Sequence, residues 1–168
     1  MGDTFEIVKW FSESGVIDAR PTDCVLGAEL GYPPGPVFTR ATAGVDSELM
    51  SWGTNGLEVT VGRSVFHPIG GELGPVSCPH CSGVIDLEAW SAFSDALTSW
   101  HAGGPSEVRC VTCGAAVGFN DWNWPAEWPF AVGFLGFTFW NWPRLGQDFI
   151  TEVGNRLGHR IVVTKGKL

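Results

Sequence analysis

Two Cys-x-x-Cys motifs constrain this chain more than any other feature. Cys78–Cys81 and Cys110–Cys113 each carry two thiols, and 28 residues separate the motifs. Four thiolates at the corners of a tetrahedron, with sulfur about 2.3 Å from the metal, are a ligand set of structural zinc. The sequence therefore predicts that both motifs form tight turns that face one centre.

This arrangement resembles a zinc ribbon, in which each cysteine pair lies at the tip of a β-hairpin. The resemblance implies strands around the first pair, at Val76 and Val84–Ile85, and around the second, at Glu107–Arg109 and Ala115–Phe119. It also implies one structural Zn²⁺ ion. Because cysteine fills all four positions, no coordination position remains for a catalytic water.

The spacing between the motifs exceeds the 15–20 residues that are usual for paired zinc motifs. A helix inserted between them accounts for the surplus, because apolar residues recur there at helical spacing and Gly103–Gly104 follow them. The residues of this apolar stripe are Leu87, Trp90, Phe93, Leu97 and Trp100.

Other uses of cysteine fit the sequence less well. A thioredoxin-like redox pair opens a helix after a buried strand, and neither motif does so. Disulfides are rare in intracellular chains. The fifth cysteine, Cys24, stands alone, and we expect a buried thiol there rather than a nucleophile.

The last part of the chain reads as strand, helix and strand. Phe130–Trp140 is apolar on both faces, residues 145–157 carry a helical apolar stripe that Gly158 ends, and Ile161–Val163 suits a final strand. We predict an α+β fold with a small mixed sheet and a C-terminal β-α-β unit, for which ferredoxin-like topology is the leading candidate. Residues 1–168 would form one domain, with residues 76–119 as a zinc-ribbon insert. The segment Phe139–Pro143 with its following helix also resembles the ends of small bacterial proteins, which implies a bacterial source but no activity.

Tryptophan is concentrated between the second motif and the C-terminal helix. Ten of the 24 residues from Phe119 to Trp142 are aromatic, and polar residues and proline are interleaved with the tryptophans, as in exposed loops. Tryptophan is enriched at interface hot spots, so a partner surface is one interpretation. Core packing is the other. The candidate residues are Trp122, Trp124, Trp128, Trp140 and Trp142.

The charge balance favours a protein partner over nucleic acid. The net charge is −8, and residues 1–143 carry five basic against 16 acidic side chains. Phosphate binding requires clustered Lys and Arg, which occur only in the final segment, at Arg144, Arg156, Arg160, Lys165 and Lys167. An acidic surface suits a basic partner instead.

The sequence carries none of the standard catalytic or phosphate-binding motifs. We therefore predict a non-enzymatic, cytoplasmic zinc protein that binds another protein, for example as an antitoxin or immunity-type inhibitor of a basic partner. Two alternatives stay open. One is a zinc ribbon that assists transcription or binds RNA, and the other is an enzyme whose pocket lies near the tryptophan loops, with Asp121 and Glu127 as the first candidates.

Overall fold

The protein is described by a computed structural model that covers residues 2–44, 48, 51–67, 74–85, 90–125 and 129–166, and the side chains of residues 2 and 3 are not part of the description. The chain divides into two compact units. Unit 1 comprises Met1–Val61 and Leu135–Ile161, and unit 2 comprises Gly62–Phe134 and Val162–Leu168.

Helices and strands are mixed along the chain. The helices among the described residues are α1 (Gly2–Glu13), α2 (Trp90–His101) and α3 (Gln147–Leu157). The strands are β1 (Gly56–Phe66), β2 (Val76–Ser77), β3 (Val84–Ile85), β4 (Glu107–Arg109), β5 (Ala116–Gly118) and β6 (Ala131–Trp140). They form three two-stranded sheets, in which β1 pairs with β6, β2 with β3 and β4 with β5.

The core of unit 1 is rich in aromatic side chains and lies between α1, α3 and the strands β1 and β6. Phe11 is fully buried, and its ring contacts the rings of Phe137, Phe139 and Phe149 at centroid distances of 5.4–6.2 Å. Helix α3 ends at Gly158, which has a φ of 65°, as the sequence predicts for a left-handed helix cap.

The core of unit 2 is formed by α2, by the hairpins β2–β3 and β4–β5 and by two of the cysteines. Phe93 on α2 is fully buried and contacts the rings of Phe119, Trp122 and Trp124. Two of the cysteines, Cys78 and Cys110, belong to the same buried cluster. Two of the four metal-ligand candidates are therefore part of the hydrophobic core of this unit.

The predicted α+β class is confirmed, but some finer features differ. The single mixed sheet is wrong for the described residues, since they form three two-stranded sheets. The β-α-β unit stops after its helix, because Ile161–Val163 form no strand. Ile161 instead packs on the core of unit 1, against α3 at Gly154, which covers its apolar side chain without strand pairing. The ferredoxin-like topology is accordingly not confirmed.

The prediction of one domain with an insert at residues 76–119 stays a prediction. None of the helices formed by the described residues has the length and apolar character needed to cross a membrane.

Candidate metal centre

The two Cys-x-x-Cys motifs form the same backbone turn. In the first turn, the Ser82 amide donates to the Cys78 carbonyl at 2.9 Å, and the Cys78 amide donates to the Gly83 carbonyl at 2.9 Å. In the second, Gly114 donates to Cys110 and Cys110 donates to Ala115, both at 2.8 Å. The two hydrogen bonds occupy equivalent positions in both motifs. We call these turns knuckle 1 (residues 78–83) and knuckle 2 (residues 110–115).

Backbone conformation after the second cysteine is also shared. Ser82 has a φ of 58° and Gly114 a φ of 74°, so both adopt the left-handed conformation. Glycine adopts it without strain, whereas serine incurs a cost there. That knuckle 1 keeps this conformation with serine indicates that the turn geometry is imposed by the surrounding structure.

Each knuckle lies at the tip of an antiparallel hairpin, as the resemblance to a zinc ribbon implies. Val76 pairs with Ile85 below knuckle 1, and Val108 pairs with Val117 below knuckle 2. The predicted helix between the motifs is confirmed as α2, although Leu87 lies outside the described residues. The hairpins thus direct both knuckles toward one point.

The sulfur positions fit a tetrahedral metal ion. The Sγ atoms of Cys78 and Cys113 are 3.9 Å apart, those of Cys81 and Cys110 are 3.7 Å apart, and all four lie within 4.8 Å of one another. Four sulfurs placed 2.3 Å from a common centre at tetrahedral corners would be about 3.8 Å apart. A disulfide would need about 2.0 Å, and all four cysteines are free thiols. The four cysteines could therefore hold a metal ion.

Half of the cluster is inside the protein and half faces solvent. Cys78 and Cys110, the first cysteine of each knuckle, are 0% and 1% exposed, whereas Cys81 and Cys113 are exposed. The Gly83 amide donates to the Cys81 sulfur at 3.4 Å. Solvent therefore reaches the cluster at Cys81 and Cys113.

Neighbouring backbone and side-chain groups hold the knuckles in place. Gly83 has no room for a Cβ atom, because that atom would lie 2.6 Å from the Thr112 hydroxyl, so the knuckles approach each other closely there. The Arg109 guanidinium donates to the Gly114 carbonyl at 2.7 Å and ties knuckle 2 to β4. Neither contact was predicted from the sequence, although small residues after each motif are a signal for close packing.

Two of the clustered thiols, Cys110 and Cys81, have pKa values shifted in opposite directions. Amide hydrogen bonds from Cys113 and Thr112, together with neighbouring thiols, lower the pKa of Cys110 to about 6 against the effect of burial. At Cys81 the lowering effect of the Gly83 amide is outweighed by burial and by the other three thiols, and the pKa rises to about 12. A cation bound among the sulfurs would favour their thiolate form.

The candidate tryptophans have different environments. Trp122 is 3% exposed in the core of unit 2, and Trp142 is 7% exposed in the core of unit 1, so neither offers surface to a partner. Trp124 is half-buried, and its indole N–H donates to the Phe119 carbonyl at 3.0 Å. Trp140 is half-buried and donates to Glu58 at 2.7 Å. Trp128 lies outside the described residues.

Among the described residues, none of the others singled out in the sequence belongs to the cysteine cluster. Cys24 is buried in unit 1, against Gly56, as expected of a packed thiol. Asp121 is exposed in unit 2 at the end of a short 3-10 turn, and Glu127 lies outside the described residues.

Comparisons with known proteins add no relative to this picture. No protein-family model matches the chain, and neither the curated proteins nor the solved structures gave a match.

Proposed function

We propose that the protein binds one structural zinc ion through its four clustered cysteines and acts, without catalysis, by binding another protein of basic character. The zinc part of this proposal is carried by the separations of 3.7 Å and 3.9 Å between sulfur atoms of opposite knuckles. The cysteines are Cys78, Cys81, Cys110 and Cys113.

The chemistry of the donor set narrows the choice of metal. Four thiolates in tetrahedral positions suit zinc or iron, whereas magnesium and calcium require oxygen ligands. Zinc has no redox chemistry, and a site closed by four protein ligands leaves no position for substrate. Such an ion would stabilise the knuckles and their hairpins rather than take part in a reaction.

Charge supports a basic protein as the partner. The chain carries a net charge of −8, and four thiolates around Zn²⁺ would add a further formal charge of −2. An acidic surface speeds encounter with a basic partner and disfavours like-charged ones. Antitoxins and immunity proteins that cover a basic active site work in this way, and we place the protein in that functional class.

Nucleic acid is less well supported as a partner. Arg63 and Arg109 in unit 2 donate to backbone carbonyls, and Arg156 in unit 1 bonds to Glu152 and lies 4.1 Å from the centre of the Trp10 ring. These cations are engaged in holding the fold. Phosphate binding depends on lysine and arginine side chains that are available to the backbone of the nucleic acid.

Metal analysis tests the first part of the proposal. We expect one zinc per chain in protein purified without added metal, and tetrahedral Co²⁺ spectra with thiolate charge transfer after cobalt exchange. Cys113→Ser should lose the metal, whereas Cys24→Ser, which alters a thiol in unit 1, should retain it. If the purified protein is coloured and contains iron, the proposed metal is iron and not zinc. Equal metal content in both variants would exclude the four cysteines as the metal-binding site.

Partner binding is tested separately with nuclease-treated lysate and a salt series. We expect a stoichiometric protein partner whose affinity falls steeply as salt rises, since exposed charges are screened. An affinity that salt leaves unchanged would contradict the charge argument. Recovery of nucleic acid alone, when nuclease is omitted, would favour the nucleic-acid alternative.

A further inference from the structure

Unit 1 contains a closed surface loop, formed by residues 22–31, in which the sequence shows no periodic pattern. The Thr22 amide donates to the Gly31 carbonyl and the Gly31 amide to the Thr22 carbonyl, both at 2.8 Å. Cys24 and Val25, each 7% exposed, anchor the loop from inside. Compact loops with joined ends and their own packed side chains are frequently functional.

A side-chain contact also restrains the middle of this loop. The Gly27 amide donates at 3.1 Å to the Glu58 carboxylate, and the same oxygen accepts the Trp140 indole N–H at 2.7 Å. A Cβ atom on Gly27 would collide with that carboxylate, so a larger residue there would displace the Glu58 side chain. With both ends and the middle bonded, the loop is held in one conformation.

The fixed loop displays apolar side chains to solvent. Leu26 is 58% exposed and Leu30 is 53% exposed, although a loop that is free to rearrange could cover them. Ala28 and Glu29 between them are exposed as well, and so is Asp23. Rigid display of apolar side chains lowers the entropy lost when a partner binds, which is a property of recognition surfaces.

The charge of the loop identifies the kind of partner. Asp23 and Glu29 are its ionisable acids, no basic residue occurs within residues 22–31, and the Glu58 carboxylate lies directly behind it. A second copy of this chain, a nucleic acid and an anionic membrane would all be repelled, since each is negatively charged. A basic surface is attracted.

We infer that residues 22–31 form a preorganised recognition loop that binds a basic protein surface, with Leu26 and Leu30 entering an apolar depression and Asp23 and Glu29 facing Lys or Arg. This inference rests on the proposed protein-binding function and specifies the surface that performs it. Glu58 and Trp140 are positioning residues, because they fix the loop without contacting the partner.

A synthetic amphipathic helical peptide of leucine and lysine is the probe, titrated into the isotope-labelled, metal-loaded protein at low and at physiological salt. We expect amide shift changes to concentrate on residues 22–31. Leu26→Ser with Leu30→Ser should weaken binding by about tenfold or more, because the variant loses the apolar surface that both leucines would bury against the partner. The matched control is Phe5→Ser with Val61→Ser, which removes similarly exposed apolar side chains, 68% and 61% exposed, elsewhere in unit 1.

Two further variants separate charge from rigidity. Asp23→Asn with Glu29→Gln should flatten the salt dependence of binding, because two exposed charges are removed. Gly27→Ala displaces Glu58 and should weaken binding although it removes neither charge nor apolar surface, while zinc content stays at one per chain.

The outcomes distinguish the loop from the broader function. Peptide binding that maps elsewhere, or that the control pair abolishes and the leucine pair does not, would overturn the loop and leave the protein-binding function intact. No binding at any salt concentration would count against both. Binding of the peptide through residues 22–31, with the stated losses, supports the inference.

Discussion

Removal of the metal should unfold unit 2, and the size of the effect can be estimated from the structure. The continuous segment Gly62–Phe134 has about 70 residues, for which a net stability of 0.05–0.15 kcal/mol per residue gives roughly 4–11 kcal/mol. Structural zinc contributes about 10–16 kcal/mol in zinc-finger peptides near neutral pH. The metal contribution is thus as large as the entire stability expected of this unit.

The hairpins of unit 2 explain why no other interaction would compensate for the loss of the ion. Strands β2 and β3 have two residues each and β4 and β5 have three, which is too short for a hairpin that is stable by itself. Cys78 and Cys110 lie in the same buried cluster as Phe93. Loss of the ion therefore loosens the core directly and not only the exposed edge of the site.

Chelation followed by near-ultraviolet circular dichroism is the assay, because Trp100 and Trp122 are buried in unit 2 and report on its packing. We expect the tryptophan signal to collapse on chelation, to return when Zn²⁺ is added and not to return with Mg²⁺. Cys113→Ser should behave like the chelated protein, and Cys24→Ser like the native one. Unchanged spectra and an unchanged melting temperature after complete metal removal would refute the reasoning.

Further changes test the packing and the knuckles. Phe93→Ala, at a fully buried position, should lower the free energy of unfolding by about 3–5 kcal/mol in urea titrations. Arg63→Lys should cost about 1–3 kcal/mol in the same assay, since one ammonium cannot reproduce the guanidinium bonds to the Trp100 and Gly104 carbonyls at 2.9 Å and 2.7 Å; an unchanged midpoint would contradict this. Gly114→Ala introduces a side chain at a φ of 74° and should cost about 1 kcal/mol, measured by thermal melting. Metal affinity, measured with a chromophoric chelator, should fall as the pH is lowered because protons compete for the thiolates, and an affinity independent of pH would exclude thiolate ligation.

The four-cysteine cluster is the part of the structure that the sequence predicts best, because its determinants are local. The spacing of two cysteines within each motif selects a turn, and residues on both sides of each motif form the expected hairpin strands. The helical period of the intervening segment identifies α2 for the same reason. Each of these features depends on neighbours within a few residues.

The tryptophan segment shows where local patterns do not decide between two interpretations. Polar residues between the tryptophans leave exposed loops and core packing both open, and in the structure the backbone of Asn123 pairs with that of Ser77, while the neighbouring Trp122 is buried and Asn123 is exposed. Alternation along an extended segment directs successive side chains to opposite sides, so the pattern fits a half-buried segment as well as a loop. The side that carries the core depends on β2, which lies more than 40 residues earlier in the chain.

Long-range contacts also explain why no pattern in the sequence predicted the conformation of residues 22–31. The conformation of this loop depends on Glu58, 31 residues beyond Gly27, and on Trp140, which lies on a strand near the other end of the chain. No window of neighbouring residues contains both partners. The strand predicted at Ile161–Val163 is wrong for the opposite reason. The local pattern of these residues suits a strand, but no strand pairs with them among the described residues.

The cysteine cluster and the loop of residues 22–31 both use a glycine amide that donates a hydrogen bond to a nearby acceptor. In knuckle 1 the Gly83 amide donates to the Cys81 sulfur, and in the loop of residues 22–31 the Gly27 amide donates to the Glu58 carboxylate. In both places a glycine lets the backbone approach closely enough for its N–H to meet an anionic or ionisable acceptor. A backbone donor has no rotamers to lose, so it fixes the acceptor at little cost in conformational entropy. The chain thereby orders a cysteine cluster and a surface loop with backbone hydrogen bonds.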